Sequence, residues 1–393
     1  MVKLKNHIYM DNNATTQLDP DVLEHMMPYL TNIYGNAASN RHSFGWEAKD
    51  AVEKSRAKIA KSINAVKPEH IIFTSGATES INLAILGLIE HMQGGHIITS
   101  KIEHKAVLDT CALLESKGIE VTYLTPRSDG IISIDDLKKA IKTNTRLVTI
   151  MAANNEIGTI QWIKEIGDLC IDKEILFHTD ATQALGKIEF DVQQMNISLA
   201  SFSSHKIYGP KGVGALYINS QNPHITLSPI AIGGGHEQGL RAGTLNVPGI
   251  VGFGRAVEIS LNHFLDESKR IRHLRDVMRS HILNKIPNSR FNGNQDRCLP
   301  GLLNISFEDI DADSLLLELT DIALSSGSAC NTAKREPSHV LKALGLDNAE
   351  AQSSVRFGLG RFNTEEEVLY TCKKLEIAVK RLRAMIPKLC PAI

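Results

Sequence analysis

The chain has 393 residues, of which 42% are hydrophobic and 22% are charged, and its formal net charge is −1. These values are typical of a globular protein with two domains, and the small net charge gives no basis for direct binding to nucleic acid or to a membrane surface. No apolar run reaches the length of a membrane span, and the N-terminus lacks the apolar segment of a secretory signal. The six cysteines are scattered without C-x-x-C pairs, so we expect no metal site, no disulfide scaffold and a reducing, cytoplasmic location.

Strands alternate with helices in the first half of the chain, which predicts an α/β fold with a mainly parallel sheet. The apolar run at 71–73 ends in Thr74-Ser75-Gly76, and an amphipathic helix follows with apolar residues from Ile81 to Ile89 on one face. The N-terminus of such a helix offers unpaired N–H groups and a positive dipole, which suit a phosphate group. Many turns of this kind bind nothing, so the motif is weak on its own.

Polar residues follow several of the predicted strands. Four polar residues follow the apolar part of a predicted strand: Thr78, His104, Asn155 and Asp180. The carboxyl ends of parallel strands share one edge of a sheet, and α/β proteins bind their ligands at that edge. We therefore expect these side chains to lie around one site.

One lysine is the centre of this predicted site. Lys206 follows Ser203 and His205 and precedes a Gly-Pro-Lys-Gly turn at 209–212. A lysine between polar groups and a rigid turn is held in place, and its amine can form a Schiff base with an aldehyde. For an isolated lysine, a surface position before a turn is the more common explanation, so the interpretation depends on the other residues.

The character of the chain changes near residue 260, where a long charged helix begins a smaller α/β unit. We predict a large domain at 17–260 and a small domain formed by 1–16 and 261–393. The small domain contains a segment of small residues that ends in Cys330 and an alternating strand that carries Arg356. Its last helix starts with a capping box at Thr364.

Together these residues meet the needs of an aldehyde cofactor that acts as an electron sink. Such a cofactor requires a Schiff-base lysine, a phosphate site, an acid that faces the ring nitrogen and a group stacked on the ring. Lys206 is the candidate for the Schiff base, and Thr78, Ser203 and His205 are the candidates for the phosphate site. Asp180 is the candidate acid, and His104 is the candidate for stacking on the ring. Gln183 is placed to bond the ring hydroxyl. Each also has an ordinary structural explanation, such as a helix N-cap for Asp180, a packing histidine for His104 and a solvated helix residue for Gln183.

Five stretches carry longer motifs: DNNATT at 11–16, TSGATES at 74–80, NNEIG at 154–158, HKIYGPKG at 205–212 and SSGSAC at 325–330. These motifs resemble those of the pyridoxal-phosphate-dependent cysteine desulfurases of the IscS/NifS family, and the similarity covers nearly the whole chain. The resemblance implies the fold-type I architecture of class V aminotransferases, with helices on both faces of the sheet. It also implies pyridoxal 5'-phosphate as the cofactor of the large domain, and a homodimer.

By matching position, the resemblance implies that Lys206 binds the cofactor and that Cys330, in the small domain, is the thiol that becomes a persulfide. The implied cofactor contacts are Ala77, Thr78, His104, Asn155, Asp180, Gln183, Ser203, His205, Lys206 and Thr244. Thr244 would reach across from the partner subunit. Arg356 would hold the substrate carboxylate together with Asn155.

The activity implied by the resemblance is the conversion of L-cysteine to L-alanine. Lys206 would take the Cα proton, His104 would pass protons near the substrate thiol, and the persulfide on Cys330 would serve a transient acceptor such as an iron–sulfur scaffold protein. The sulfur would then enter iron–sulfur clusters, other thio-cofactors or thiolated tRNA. The alternatives are a selenocysteine lyase, another class V aminotransferase or lyase, and a binding protein without a cofactor. Ser204, Ala37 and the chain end at Ile393 depart from the family pattern, and the last of these leaves the sulfur acceptor open.

Overall fold

The computed structural model describes residues 7–88, 94–219, 222, 225–326 and 337–385. In chain order the strands are β1 (Ile8–Tyr9), β2 (Ile71–Thr74), β3 (His96–Ser100), β4 (Glu120–Leu124), β5 (Thr145–Thr149), β6 (Leu176–Asp180), β7 (Leu199–Ser203), β8 (Gly214–Ile218), β9 (Ser289–Phe291), β10 (Leu302–Phe307), β11 (Ile322–Ala323), β12 (Ser325–Ser326) and β13 (Ser354–Gly358). The α-helices are α1 (Pro20–Thr31), α2 (Ser43–Ser62), α3 (Ala77–Leu86), α4 (Lys105–Ser116), α5 (Ile134–Ala140), α6 (Ile163–Asp172), α7 (Val247–Asn262), α8 (Phe264–Lys285), α9 (Ala312–Glu318), α10 (His339–Ala343), α11 (Asn348–Gln352) and α12 (Glu365–Met385).

Seven strands form one sheet in the order β2-β8-β7-β6-β5-β3-β4. The strands from β3 to β7 pair in parallel, and β8 runs antiparallel to both of its neighbours. Every residue of β6, β7 and β8 is buried, as expected for a sheet that is covered on both faces. The predicted α/β fold with a mainly parallel central sheet is confirmed.

Alternate residues of these strands pack on opposite faces of the sheet. Phe177 and Phe202 belong to a core cluster that includes apolar residues of α2 and α7. Leu176 and Leu199, which lie one and three positions before these residues, belong to a separate cluster with apolar residues of α3 and α4. The two faces thus take up apolar side chains in a two-residue period, and the polar residues Asp180 and Ser203 end β6 and β7.

A second sheet of four antiparallel strands has the order β12-β13-β10-β9. Its core cluster joins Met278 of α8, Phe357 of β13 and Leu375 of α12 with Met10 from the beginning of the chain. The N-terminal segment reaches this cluster because β1 pairs in parallel with β11. The domain boundaries at residues 16 and 260 stay a prediction.

The helix signals in the sequence correspond to helices in the structure. Helix α3 begins at Ala77 and ends at Leu86, whereas Ile89, which we predict on its apolar face, lies outside the described residues. The capping box is present, because Thr364 N–H donates to Glu367 Oε2 and Glu367 N–H donates to Thr364 Oγ1, each at 3.2 Å. Among the helices of the described ranges, none is both long and apolar enough to cross a membrane.

Candidate active site

A cavity of about 650 Å³ opens at the carboxyl ends of the central parallel strands. Ten of the site residues predicted from the sequence line it. The predicted residues in its wall are Ala77, Thr78, His104, Asn155, Asp180, Gln183, Ser203, His205, Lys206 and Arg356. The parallel sheet brings these residues together from distant parts of the chain, as the topology predicts.

One end of the cavity is shaped to hold an anion. Gly76 is the N-cap of α3 and supplies no side-chain hydrogen bond to the first N–H groups of the helix, which have no intrahelical acceptor. Its φ of +156° favours glycine, and a Cβ added there would lie 3.9 Å from Ser203 Oγ. Gly214 packs so closely that a Cβ on it would be 2.6 Å from Gly76 Cα. The two glycines therefore leave a cradle in which N–H groups and the Ser203 hydroxyl face an anion.

His205 lies beside this cradle, and its imidazole ring is uncharged. Its Nδ1 is 3.0 Å from Thr15 Oγ1. Burial lowers the pKa of His205 to about 4, and the positive charges of Lys206, Lys211 and Lys187 act in the same direction. The imidazole is therefore neutral at neutral pH, and the positive charge near the cradle comes from the lysines and the dipole of α3.

Lys206 is held in the cavity wall by two backbone carbonyls. It ends a 3₁₀ turn at Ser204–Lys206 that directly follows β7. The Nζ group donates to the carbonyl oxygen of Asn13 at 2.9 Å and to that of Ala14. Gly209 closes the following turn, where an added Cβ would be 1.9 Å from Ser204 Oγ. The structure therefore places this lysine in a rigid turn next to an anion cradle.

Asp180 and His104 line the cavity as predicted, and each also accepts a hydrogen bond from a nearby backbone N–H. Asp180 is the last residue of β6, and its Oδ1 accepts a hydrogen bond from the Thr182 N–H at 3.0 Å. His104 is the N-cap of α4, and its Nδ1 accepts from the Ala106 N–H at 3.1 Å. Because Nδ1 is an acceptor, the neutral His104 ring carries its proton on Nε2, which is the nitrogen able to exchange a proton with a ligand.

Arg356 projects from β13 and is oriented by two protein oxygens. One Nη donates to Asp11 Oδ1 at 2.7 Å and the other to the carbonyl oxygen of Asn155 at 3.0 Å. Its Nε is buried and has no partner among the described residues. Each Nη of a guanidinium has two N–H groups, so each Nη of Arg356 keeps one donor for a carboxylate in the cavity.

The sequence profile of the aminotransferase class-V family matches residues 8–370, which is nearly the whole described chain. The chain belongs to the aminotransferase class-V family.

Relatives of this class-V chain have consistent names. It is 48% identical over 390 residues to the cysteine desulfurase IscS of Plasmodium falciparum, which covers 98% of this chain and 70% of the relative. It is 49% identical over 382 residues to the cysteine desulfurase IscS of Rickettsia bellii, with 97% of this chain and 93% of the relative covered.

Two solved structures are similar to this class-V chain at 41% identity. A NifS-like protein matches with a TM-score of 0.88 over 95% of this chain and 100% of the other. SspA in complex with cysteine matches with a TM-score of 0.80 over 91% of this chain and 100% of the other.

The class-V aminotransferases depend on pyridoxal 5'-phosphate, and the cavity residues of this member fit that group. The cradle at Gly76 and the N-terminus of α3 suit the phosphate. The carboxylate of Asp180 suits the ring nitrogen, and the amine of Lys206 suits the aldehyde. The donors and acceptors in the wall are thus those that the cofactor needs.

Two residues of the predicted site need separate mention. Cys330 lies outside the described residues. Thr244 is exposed on the loop after the 3₁₀ turn at Glu237–Gly239, and it does not line the cavity of its own chain. The roles of both residues stay predictions.

Asn13 also orients the site, although the sequence places it only within the motif at 11–16. Its carbonyl oxygen accepts from both Lys206 Nζ and Gln183 Nε2, and its Nδ2 donates to Gln183 Oε1. Asp11, which pairs with Arg356, was missed in the same way. The signal was the polar run at 11–16, in which the side-chain partners of Asp11 and Asn13 are distant in the sequence.

Proposed function

We propose that this protein is a cysteine desulfurase that converts L-cysteine to L-alanine and carries the released sulfur as a persulfide on Cys330. The observation that supports it best is that the Lys206 amine, the Arg356 guanidinium and the Asp180 carboxylate line one cavity. This set can bind an amino acid by its amine and by its carboxylate at once. Relatives named cysteine desulfurase and the neighbour in complex with cysteine favour cysteine as that amino acid.

Pyridoxal 5'-phosphate, when bound, supplies an electron sink for the charge that develops at the substrate Cα. Arg356 and Asn155 orient the substrate carboxylate, and Lys206 Nζ takes the proton from Cα. The Asp180 carboxylate would hold a proton on the ring nitrogen of the bound cofactor, because an ion pair favours the charged form of both partners. His104 moves a proton through Nε2, since its Nδ1 is engaged by the helix.

The sulfur step requires a thiolate. Attack of the Cys330 thiolate on the substrate sulfur forms an S–S bond while the substrate C–S bond breaks, and the electron pair of that bond stays with the three-carbon product. The described cysteines do not suit this step. They are buried, and burial raises the pKa of the thiols of Cys111, Cys170 and Cys372 to about 12 and also raises that of Cys298.

Product analysis tests this function. Protein loaded with pyridoxal 5'-phosphate should convert L-cysteine to equal amounts of L-alanine and, in the presence of a reducing thiol, sulfide. The matched control is the same protein without added cofactor. Formation of a keto acid from an amino donor, with no sulfide from cysteine, would assign the chain to the aminotransferases instead. Turnover of selenocysteine alone would favour a selenocysteine lyase.

We also propose that the enzyme is a homodimer in which Thr244 reaches the phosphate cradle of the partner subunit. The loop that carries Thr244 is held by the buried ion pair of Arg56 with Glu237, at 2.7 Å. It is also held by the partly buried ion pair of Arg241 with Glu79, at 2.8 Å. Ile232, just before it, is 91% exposed in the single chain. In the proposed dimer we expect Ile232 to be buried against the partner subunit.

Thr244→Val should therefore raise the dissociation constant of the cofactor roughly tenfold, because one hydrogen bond to a charged group is lost. The control is Thr143→Val, at an exposed turn position. Sedimentation should show a dimer. A monomer with full activity would contradict both the dimer and the role of Thr244.

The remaining parts of the proposal concern the setting of the reaction. The described cysteines are unpaired, which supports a reducing compartment such as the cytoplasm. The acceptor of the sulfur is proposed to be a transient partner such as an iron–sulfur scaffold protein, because the thiol-bound sulfur must leave the enzyme for another turnover to begin.

A further inference from the structure

Lys187 is a half-buried lysine that the proposed reaction does not use. It follows Gly186, whose φ of +68° favours glycine and whose added Cβ would lie 2.9 Å from the Ser260 side chain. The backbone that leads to Lys187 therefore packs closely against Ser260. Lys187 lines a narrow chamber of about 40 Å³ that also contacts Lys206 and Glu267. It therefore lies next to the cofactor cavity and outside its wall.

The amine of Lys187 forms a hydrogen bond with Gln183, which lines the cavity. Lys187 Nζ donates to Gln183 Oε1 at 2.7 Å, and Asn13 Nδ2 donates to the same oxygen at 3.1 Å. A carbonyl oxygen has two lone pairs, so these two donors occupy both of them. The oxygen of Gln183 is thus held away from the ligand.

The side-chain amide nitrogen of Gln183 has one N–H group that is not used by Asn13. Its Nε2 donates to the carbonyl oxygen of Asn13 at 3.0 Å, and that oxygen also accepts from Lys206 Nζ. Gln183 is buried and lines the cofactor cavity. It can therefore present an N–H to a ligand there, and it has no acceptor left to offer.

We propose that Lys187 is a positioning residue of the cofactor site: its hydrogen bond locks the Gln183 amide so that an N–H of Gln183 donates to the ring oxygen of the cofactor. This inference rests on the proposed function, because it requires that pyridoxal 5'-phosphate occupies the cavity. Lys187 itself touches neither cofactor nor substrate in this arrangement.

The charges around Lys187 allow this role at any pH near neutrality. Burial lowers the pKa of Lys187 to about 7, with the positive charges of Lys206 and Arg356 acting in the same direction and Glu267 opposing them. Tyr208 also lines the chamber, and burial raises the pKa of its hydroxyl, which therefore stays neutral. Both the ammonium and the amine forms of Lys187 have N–H groups, so the hydrogen bond to Gln183 persists in either form.

The visible absorption of the lysine-bound cofactor, followed as a function of pH, tests the proposal without measuring turnover. An N–H donor stabilises negative charge on the ring oxygen and so lowers the pH at which the bound cofactor loses its proton. Lys187→Met removes the donor that holds Gln183, and it should raise this midpoint by about one pH unit. Gln183→Leu should raise it at least as much.

The double variant separates positioning from an independent effect. If Lys187 acts through Gln183, then Lys187→Met combined with Gln183→Leu should have the midpoint of Gln183→Leu alone. Lys187→Arg keeps N–H donors and should titrate close to the wild type. Lys164→Met, at an exposed position of α6, is the matched control and should not shift the midpoint. Lys187→Leu replaces the Met variant if that variant does not fold.

Three results would overturn the inference. A midpoint in Lys187→Met, or in its Leu substitute, equal to that of the wild type would show that Lys187 does not position Gln183. Additive shifts in the double variant would show that Lys187 acts independently of Gln183. A wild-type protein that takes up no cofactor would overturn the proposed function together with this inference, whereas the first two results leave that function intact.

Discussion

Lys206→Ala is expected to abolish the visible absorption of the lysine-bound cofactor and to lower the turnover of cysteine by roughly 10²- to 10⁴-fold, the range for the loss of a general base. The reason is that no other described amine lines the cavity in the same position: Lys211 lies in the wall near the cradle, and Lys187 is held by Gln183. Absorption spectra and product analysis of the purified variant measure both effects. The cofactor should still bind through the phosphate cradle, without its covalent link.

The control for this variant is Lys164→Ala, at an exposed position of α6 where Lys164 pairs with Asp168 at 2.6 Å. A surface ion pair of this kind contributes little to stability, so the control should keep both absorption and turnover. Thermal unfolding of both variants checks that they fold. An unchanged visible spectrum in Lys206→Ala would mean that the assignment of this lysine is wrong.

Cys330→Ser is expected to bind the cofactor and cysteine normally and yet to release almost no alanine or sulfide. The binding steps involve only the amine and the carboxylate of the substrate, which Lys206 and Arg356 engage. Loss of sulfur needs a thiolate acceptor, and a serine hydroxyl is a far weaker nucleophile near neutral pH. The spectrum of Cys330→Ser should therefore still change when cysteine is added, while turnover falls by roughly 10²-fold or more.

Cys170→Ala is the matched control for this variant. Cys170 is buried on α6, and burial raises the pKa of its thiol to about 12, so hardly any thiolate forms at neutral pH. Its removal should leave turnover largely intact at a modest cost in stability. Normal turnover by Cys330→Ser would show that the sulfur leaves by a route that does not use this thiol.

The local parts of this structure could be predicted from the sequence. The strand, the small-residue turn and the helix that begins at Ala77 appear in that order in the sequence and in the fold. Asp180 was placed correctly at the end of its strand, and Lys206 in a rigid turn, because both signals depend on residues within a few positions. The convergence of these residues followed from the rule that parallel strands end at one edge.

The contacts that orient the site could not be predicted, because they join distant positions without a periodic signal. Arg356 pairs with Asp11 across 345 positions, and Asn13 pairs with Gln183 across 170. Lys187 and Gln183 are only four positions apart in the sequence. Their hydrogen bond restricts the Gln183 oxygen, however, only because Asn13 occupies the second lone pair of that oxygen. Hydrophobic patterns place elements and faces, whereas these polar contacts depend on tertiary packing.

The central claim is that the sulfur of L-cysteine passes to the thiol of Cys330. Mass spectrometry of the wild-type protein after brief exposure to L-cysteine, followed by proteolysis without reducing agent, tests it most directly. The account predicts one added sulfur atom on the peptide that contains Cys330, and no addition when the protein lacks its cofactor. Sulfur on a peptide with a different cysteine, or on none while alanine still accumulates, would contradict it.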